Sequence, residues 1–333
     1  MDNITLGYGG GGKLTHDLID SLFIKELSGD VLREKKDSAL LEIGNKKIAF
    51  TTDSYVVKPI FFPGGDIGSL AVYGTVNDLS VCGAKPLFIS IAVIIEEGLE
   101  RKALEKITRS IGIAARRSGV EVVTGDTKVV ERGSCDKVFI NTSGIGEVFY
   151  APLSADRIRP GDAVIVSGPV GDHAISVLSK REGMAFGTDI KSDSINLNGL
   201  IGKALRASNN VRFMRDPTRG GVATTLNEIV ERRPFGIWLY EEALPVRRGV
   251  RSACELLGFD PIYLACEGRV IIIASDNDAG KVLSAIRKDP NGAQAEVIGK
   301  VTGANKGKVL LETRAGGKRL VDMLSGDQLP RIC

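Results

Sequence analysis

Five aspartates stand beside apolar segments of the sequence, where carboxylates from different elements can converge on one site. They are Asp37, Asp53, Asp78, Asp126 and Asp216. A single aspartate in such a place is most often a cap or turn residue, because its short side chain hydrogen-bonds to the nearby backbone. Five of them, several next to glycine or threonine, indicate oxygen ligands of the kind that hold Mg²⁺ together with substrate phosphates. The aspartates alone leave both interpretations open.

The glycine-rich segment GYGGGGKLT near the start of the sequence is a candidate phosphate-binding loop. Gly7, Gly12 and Lys13 match the P-loop spacing, but Leu14 stands where that motif needs Ser or Thr to hold Mg²⁺. Too few residues precede Gly7 for the strand that introduces a P-loop, and we therefore reject that motif. Consecutive glycines still expose backbone N–H groups and can approach a polyphosphate closely. A flexible linker is the alternative interpretation.

The segment RDPTRGGVA brings cations, a carboxylate and glycines into one turn. Arg215 and Arg219 could bind phosphate oxygens in a bidentate manner. Gly220 and Gly221 would open the N-terminus of the following helix toward an anion. An ordinary proline–glycine loop is the alternative interpretation.

Three further residues are candidates for proton transfer or thiol chemistry. Lys128 and Glu267 are single charges flanked by apolar sequence, where a shifted pKa would suit proton transfer, although such side chains are more commonly solvated or salt-bridged. Cys333 is the last residue of the sequence and follows Pro330 and Arg331, so we expect its thiol to be exposed on a mobile arm. The two histidines offer no visible partner for a Cys–His nucleophile.

The elements that must position these residues alternate between strands and helices. In the first half, apolar patterning predicts strands at KKIAFTTDS, PLFISIAVII (a buried strand) and VFINTSGIGEV. It also predicts a helix capped by Asp66 that ends at Gly83, and a second helix in LERKALEKITRSIGIAARR. In the second half, strands are predicted at AVIVSG, RVIIIAS, AEVIGKV and KVLLET, and helices at GDHAISVLSKR, GVATTLNEIVERR and AGKVLSAIRKD.

Periodicity is lost around YAPLSADRIRPGD, and we place a domain boundary there. The sequence therefore predicts an α/β (α+β) chain with a first domain at 1–150, a second domain at 151–324 and a mobile tail at 325–333. Gly326 is the expected hinge of this tail.

Composition narrows the possible classes of protein. The 333 residues are 43% hydrophobic and 26% charged, with a net charge of only +3, which gives enough core for two domains and speaks against nucleic acid or an anionic membrane as the main partner. No apolar stretch has the length of a membrane span, and no secretory signal is expected. The five cysteines form no CxxC pair, which argues against a disulfide framework and favours a reducing, cytoplasmic location. Three of them, Cys82, Cys254 and Cys266, are expected to be buried, and Cys135 to be exposed.

Taken together, the motifs TTDSYVV, PGGDIGSLAVYGTVNDLSVCGAKP, GDTKVV, RDPTRGGVAT and the final PRIC resemble the HypE family of hydrogenase maturation factors. This family of carbamoyl dehydratases is a branch of the ATP-dependent superfamily that includes aminoimidazole ribonucleotide synthetase and selenophosphate synthetase. The resemblance covers essentially the whole chain, and the terminal cysteine motif is its most specific part. It implies a two-domain PurM-like fold, with an N-terminal, dimer-forming sheet, a C-terminal α/β sandwich and a flexible tail.

The resemblance also implies roles for the candidate residues. Mg²⁺ would be held by Asp37, Asp53, Asp78 and Asp216. ATP would be bound by Gly9, Gly10, Gly11, Gly12, Lys13, Asp53, Asp78, Arg215, Arg219 and Gly220, the four consecutive glycines forming a mobile phosphate cover. Asp126, Lys128 and Glu267 would lie near the entry of the tail as catalytic residues beside Cys333, without it being decided which is the general base.

The implied reaction is a dehydration on the tail. A partner carbamoyltransferase would load a carbamoyl group on Cys333, ATP would phosphorylate the amide oxygen, and loss of phosphate would leave a thiocyanate, with ADP and phosphate released. The cyano group would then pass to iron on a maturation scaffold complex of nickel–iron hydrogenase. The tail would have to alternate between an inward and an outward position.

Other functions stay open at this point. Another branch of the superfamily, a selenophosphate synthetase or a small-molecule kinase, is less favoured because the glycine segment carries no reactive cysteine and those branches do not use a terminal thiol in this way. A non-catalytic carrier of a modified tail thiol would make Asp53, Asp78 and the glycine segment purely structural.

Overall fold

The computed structural model describes residues 3–27, 29–150, 153–184, 189–324, 329 and 331–333. The expected hinge, Gly326, lies outside the described residues, as does Pro330 of the final motif. Among the residues that are described, no helix has the length and apolar character needed to cross a membrane.

The first part of the chain forms a five-stranded sheet with the strand order β1-β2-β7-β5-β6. Neighbouring strands are antiparallel except for the parallel pair β5 and β6. Before the sheet come the short helices α1 (Lys13–Leu18), α2 (Lys25–Leu27) and α3 (Asp30–Arg33). The remaining elements are β1 (Ala39–Ile43), β2 (Lys46–Tyr55), β3 (Phe61–Phe62), β4 (Gly65–Asp66), α4 (Ile67–Val81), β5 (Ala84–Glu96), α5 (Arg101–Ser118), β6 (Glu121–Val130) and β7 (Val138–Val148).

The second part forms a seven-stranded sheet with the order β14-β13-β10-β12-β8-β11-β9, in which only β10 and β13 are parallel among the described pairs. Its strands are β8 (Ala163–Val166), β9 (Val211–Arg215), β10 (Gly236–Tyr240), β11 (Ile271–Ala274), β12 (Glu296–Thr302), β13 (Val309–Glu312) and β14 (Lys318–Val321). Its helices are α6 (Asp172–Glu182), α7 (Asn198–Ala207), α8 (Gly221–Val230), α9 (Arg248–Leu257) and α10 (Asp276–Arg287). The predicted two-part α/β architecture is confirmed.

Helix α4 connects the two sheets through packing. Asp66 caps its N-terminus by accepting hydrogen bonds from the backbone of Gly68 and Ser69, as the sequence predicted. The helix lies against the first sheet and α5 on its own side, and against α7 and β9 of the second part. Because it is covered on all these sides, nearly every residue of α4 is buried, and the polar Asp78 on it lies between the two sheets.

Two details of the sequence prediction were wrong. Strand β5 was expected to be buried, but its alternate residues Phe88 and Ile94 are each 41% exposed on the outer face of the first sheet. Asp126 was taken to follow an apolar segment, but it lies in the middle of β6, whose residues are almost all exposed. Helices α7 and α9 and strands β6, β9, β10 and β14 were among the elements that were not predicted.

Candidate active site at Cys333

The tail cysteine lies in a small cavity together with four carboxylates from both parts of the chain. The cavity, of about 50 Å³, is lined by Cys333, Asp53, Asp78, Asp216 and Glu267, with Arg219 beside them. Strand β2 supplies Asp53, helix α4 supplies Asp78, and Asp216 follows directly after β9. Glu267 comes from the loop before β11. The expectation that aspartates distant in sequence converge is therefore fulfilled for three of the five.

Asp78 is the centre of the carboxylate cluster. The Thr51 hydroxyl lies 3.0 Å from a carboxylate oxygen of Asp78 and 2.8 Å from the backbone oxygen of Asp37. Burial, followed by the negative charges of Asp216, Asp53 and Asp37, raises the pKa of Asp78 well above its ordinary value. Burial and the neighbouring Asp37 likewise raise the pKa of Asp216 to about 8. These carboxylates repel one another when all are ionised.

A divalent cation would relieve this repulsion, because oxygen ligands of this kind suit Mg²⁺. The chemistry of the donor set therefore fits the predicted metal at Asp53, Asp78 and Asp216. In the part of the chain that the structure describes, no three acidic, histidine or cysteine side chains already stand close enough to enclose an ion. The carboxylates share one cavity, but they are not arranged as a finished coordination shell.

Asp37 and Arg215 belong to a separate ion-pair network. The Arg215 Nε atom lies 3.1 Å from Asp37, and its Nη1 atom lies 2.9 Å from Glu228, which in turn lies 2.7 Å from the His16 ring. These residues line a cleft of about 670 Å³ that does not include Cys333. Burial raises the pKa of Asp37, and the Arg215 charge opposes that shift. Arg215, predicted to bind phosphate, is thus held by two carboxylates in this structure.

Arg219 and the glycine segment lie next to the cavity. The residues Arg219, Gly9, Gly10 and Gly220 line an adjoining cleft of about 230 Å³ that also reaches Cys333. The Arg219 guanidinium donates a 2.8 Å hydrogen bond to the backbone oxygen of Gly9. The segment therefore lies beside the carboxylate cavity.

The position of the glycine segment depends on a close backbone approach at its end. The Lys13 N–H donates to the Leu324 oxygen at 3.1 Å. At Gly12, any Cβ would collide with that same oxygen, so only glycine allows the approach. Gly11 has a φ of +74°, which also favours glycine. The Lys13 side chain itself is exposed.

Glu267 and Cys333 are two neighbouring side chains whose groups could take part in a reaction. Glu267 is buried, and one of its carboxylate oxygens has no hydrogen-bond partner within the described ranges. Burial, followed by the charge of Asp216, raises the pKa of Glu267 well above its ordinary value. Burial and the adjacent Glu267 raise the pKa of the Cys333 thiol in the same way. The thiol was expected to be exposed, but it is half-buried, because the segment that carries it is folded into the cavity.

Asp126 and Lys128 do not reach this cavity in their own chain. Asp126 pairs with Ala92 of β5, and β6 lies three strand positions from β2, a separation of about 14 Å at the usual strand spacing. Both side chains are at least 60% exposed, and they form a 2.9 Å ion pair that lowers the pKa of Asp126. Lys128 is therefore a solvent-exposed, salt-bridged side chain on the edge strand β6 and not a buried one.

The tail contacts were missed by sequence reasoning. The His173 Nε2 atom lies 2.6 Å from the Ile332 oxygen, and Arg181 donates to the Arg331 oxygen, also at 2.6 Å. The sequence predicted a helix at GDHAISVLSKR, and α6 does begin there, at Asp172. Nothing in the sequence pointed from His173 in this helix to its partner 159 residues away.

Comparison with known proteins identifies relatives over the whole chain. The N-terminal domain model of AIR synthase related proteins matches residues 35–148, and the C-terminal domain model matches residues 159–312. The chain is 48% identical to the carbamoyl dehydratase HypE of Rhizobium leguminosarum bv. viciae, covering 99% of this chain and 95% of the relative. It is 42% identical to the carbamoyl dehydratase HypE of Escherichia coli (strain K12), and the match covers 100% of both chains.

Solved structures give the same result. A HypE–HypF complex has a chain that superposes with a TM-score of 0.88 at 47% identity, covering 92% of this chain and 99% of that one. The hydrogenase maturation protein HypE in complex with ATP superposes with a TM-score of 0.83 at 48% identity, covering 99% of this chain and 100% of that one. A thiamine monophosphate kinase at 19% identity, with a TM-score of 0.65, shares the fold.

Proposed function

Because the chain belongs to the AIR synthase related family and, within it, to the HypE carbamoyl dehydratases of hydrogenase maturation, we propose that Cys333 carries the group it dehydrates. The observation that supports this assignment is the position of the thiol, which shares one cavity with Glu267 and three aspartates. A thiol that only carried a group would not need to enter a carboxylate cluster.

ATP is the proposed co-substrate, as in the relative whose structure contains it. Ligand sites usually measure about 300 Å³ or more, so the carboxylate cavity is too small for a nucleotide by itself. The adjoining cleft supplies further room, and Arg219, Gly9 and Gly10, which line it, would face the phosphates. The glycines would cover the phosphates with backbone N–H groups, and Gly220 would contribute the N-terminus of α8. Lys13 and Arg215 remain proposed members of the same nucleotide site.

Mg²⁺ is the proposed metal, held by Asp53, Asp78 and Asp216, with Asp37 next to them. When bound, it would neutralise charge during phosphoryl transfer, which depends mainly on positioning and electrostatics. The protein's own part is to bring these carboxylates together from β2, α4 and the end of β9.

The proposed reaction converts the S-carboxamide of Cys333 into a thiocyanate. The amide oxygen attacks the terminal phosphorus of ATP, forming an O-phosphorylated group and releasing ADP. The nitrogen then loses its remaining protons, the C–O bond breaks, and phosphate leaves with the oxygen. Glu267 is positioned to accept a proton, since it adjoins the sulfur and its raised pKa makes its carboxylate a stronger base.

A homodimer is proposed for the outer face of the first sheet. Phe50, Ile145 and Phe88 form a cross-strand row there, and each is 38–41% exposed. Directly paired residues share a face of a sheet. The pairing of Asp126 with Ala92 and of Lys128 with Ile94 therefore puts both charged residues on this same face. A contribution of Asp126 or Lys128 to catalysis would accordingly be made in the partner subunit.

The proposed partners follow from the reaction. A carbamoyltransferase loads Cys333, which is consistent with the complex of a HypE relative with HypF. An iron-binding maturation scaffold receives the cyano group. The described cysteines are all free, which suits the reducing cytoplasm that we propose as the location. Residues 325–333 are the proposed moving unit, and 1–150 and 151–324 the two domains.

The decisive experiment uses protein carbamoylated on Cys333. Incubation with ATP and Mg²⁺ should remove the mass of one water molecule from the C-terminal peptide. Cys333→Ala should abolish formation of the thiocyanate while ATP binding persists, since the thiol is the acceptor and not a nucleotide ligand. Unchanged peptide mass in folded wild-type protein would refute the dehydratase assignment for this chain. A dehydrated group in the Cys333→Ala protein would show that another cysteine is the acceptor.

A further inference from the structure

Helix α6 holds the C-terminal segment by its backbone. His173 and Arg181, at opposite ends of the helix, contact the carbonyl oxygens of Ile332 and Arg331 respectively. The Arg331 oxygen also accepts a 3.1 Å hydrogen bond from the Lys58 N–H, and Arg181 donates to the Lys58 oxygen at 2.8 Å. Two successive carbonyl groups directly before Cys333 are therefore fixed by donors.

The roles of the His173 nitrogens follow from their partners. A backbone oxygen can only accept, so Nε2 carries the proton that is donated to Ile332. Nδ1 of the neutral ring then accepts from the Ser192 hydroxyl, 2.7 Å away. The Ser192 oxygen in turn accepts from the Ser194 N–H at 3.0 Å. The ring is fully buried and nearly perpendicular to the ring of Phe62, with centroids 5.4 Å apart.

The docked segment completes this arrangement. If the segment left, the buried Nε2–H of His173 would lose its acceptor, and a buried donor without a partner is unfavourable. The side chains of the segment add anchors, since Leu329 and Ile332 are buried and Arg331 lies 2.9 Å from Asp136. His173 contacts the carbonyl group next to Cys333, so it controls where the thiol stands relative to Glu267.

We propose that His173, assisted by Arg181, is a positioning residue that holds the C-terminal segment docked and thereby sets the balance between dehydration on Cys333 and access to Cys333 from outside. This rests on the proposed function, because the inward position matters only if chemistry occurs in the cavity. Weakening the contact shifts the segment outward, which slows dehydration but leaves the thiol more accessible to a loading enzyme or a reagent.

The first test measures docking without any enzymatic turnover. Full-length protein is treated with iodoacetamide, and alkylation of Cys333 is followed over time on the C-terminal peptide by mass spectrometry. His173→Leu should speed this alkylation by about tenfold, the effect of losing one buried hydrogen bond. His173→Gln keeps an N–H donor and should restore much of the protection. Lys180→Ala, on the exposed side of the same helix, is the matched control and should react like the wild type.

Correct folding is checked in the same samples. Cys82, at the C-terminal end of α4, is buried and should stay unmodified in every folded variant. If His173→Leu does not fold, Arg181→Met removes the neighbouring donor to the Arg331 oxygen and should show the same increase. Wild-type alkylation rates in a folded His173→Leu protein, or in folded Arg181→Met where that variant replaces it, would overturn the proposal.

The second test compares two reactions at Cys333, the dehydration of its carbamoyl group and the loading of that group by the carbamoyltransferase. In single turnover, carbamoylated His173→Leu should dehydrate about tenfold more slowly, while loading of its Cys333 by the carbamoyltransferase should be equal or faster. General damage to the fold would lower both rates, which would contradict a positioning role. If the wild type shows no dehydration, the proposed function fails, but the alkylation contrast still decides whether His173 holds the segment.

Discussion

Asp216 and Asp126 were both candidate site residues next to apolar segments of the sequence, but they have opposite environments. Asp216 is buried among other carboxylates, and burial together with Asp37 raises its pKa to about 8. Asp126 is exposed on β6, where Lys128 lowers its pKa. The difference comes from packing, since Asp216 follows β9, against which α4 lies, whereas Asp126 lies on the edge strand β6, whose residues are almost all exposed. The same residue type in the same local pattern is thus a ligand candidate in one place and a surface charge in the other.

The largest effect on activity is expected at the carboxylates that share the cavity with Cys333. Asp78→Asn should lower ATP-dependent dehydration on the order of 10²-fold or more, because it removes charge stabilisation at the centre of the cluster. Single-turnover mass analysis of the C-terminal peptide measures this. The control is Glu105→Gln, on the exposed face of α5. Activity within twofold of the wild type in folded Asp78→Asn would show that the cavity carboxylate Asp78 matters no more for the reaction than an exposed one.

Mixed dimers test whether the exposed residue Lys128 acts in the active site of the partner subunit. Lys128→Met and Asp78→Asn should each be inactive alone. After mixing and subunit exchange, about a quarter of wild-type activity should return, since half of the dimers are mixed and each has one intact site. Phe88→Asp, on the outer face of the first sheet, should give monomers and prevent this recovery. Absence of recovery from dimers shown to be mixed would show that Lys128 does not act in the partner subunit, and full activity of Lys128→Met alone would place it outside the reaction.

The affinity for Mg²⁺ should depend on pH because of the buried carboxyl group of Asp216. The pKa of Asp216 is raised to about 8, so it is largely protonated at neutral pH and Mg²⁺ must displace the proton. Mg²⁺ affinity should therefore rise between pH 6 and 8, by at most about tenfold per unit for each proton displaced. Titration calorimetry in buffers of different ionisation enthalpy measures the release. Asp216→Asn should flatten this dependence of Mg²⁺ affinity on pH. An equally steep slope in that variant would show that a group other than Asp216 releases the proton.

The smallest expected effect is on stability at the exposed pair Asp126 and Lys128. In the monomeric Phe88→Asp background, Asp126→Asn should leave the unfolding temperature unchanged within error, because an exposed ion pair contributes little. Thermal unfolding followed by circular dichroism measures this, with Asp216→Asn in the same background as the comparison. A marked loss of stability in that monomer would contradict the assignment of Asp126 as an exposed surface charge.

The positions of the main elements could be predicted because their signals are local. Asp66 caps α4, and Ile107 and Ile111 lie on the buried face of α5, since helix capping and helical period depend only on neighbours in sequence. Strand β9 and helices α7 and α9 were missed. In α9 the buried residues Val250, Ala253 and Cys254 do recur at helical spacing, so a local signal was present there and was overlooked. The predicted burial of β5 was wrong, because which face of a strand is covered depends on the packing of other elements.

The sequence by itself determined the two-part α/β fold, the carboxylate types and the thiol, and its motifs carried the resemblance that the comparisons confirmed. Only the tertiary structure separated Asp78 and Asp216 from Asp126, joined Glu267 to Cys333, and placed His173 against Ile332. The physical reason is that pKa values, hydrogen-bond partners and access to a cavity depend on burial and on contacts between segments far apart in the chain. A residue's type fixes what it can donate or accept, and its packing decides to which group.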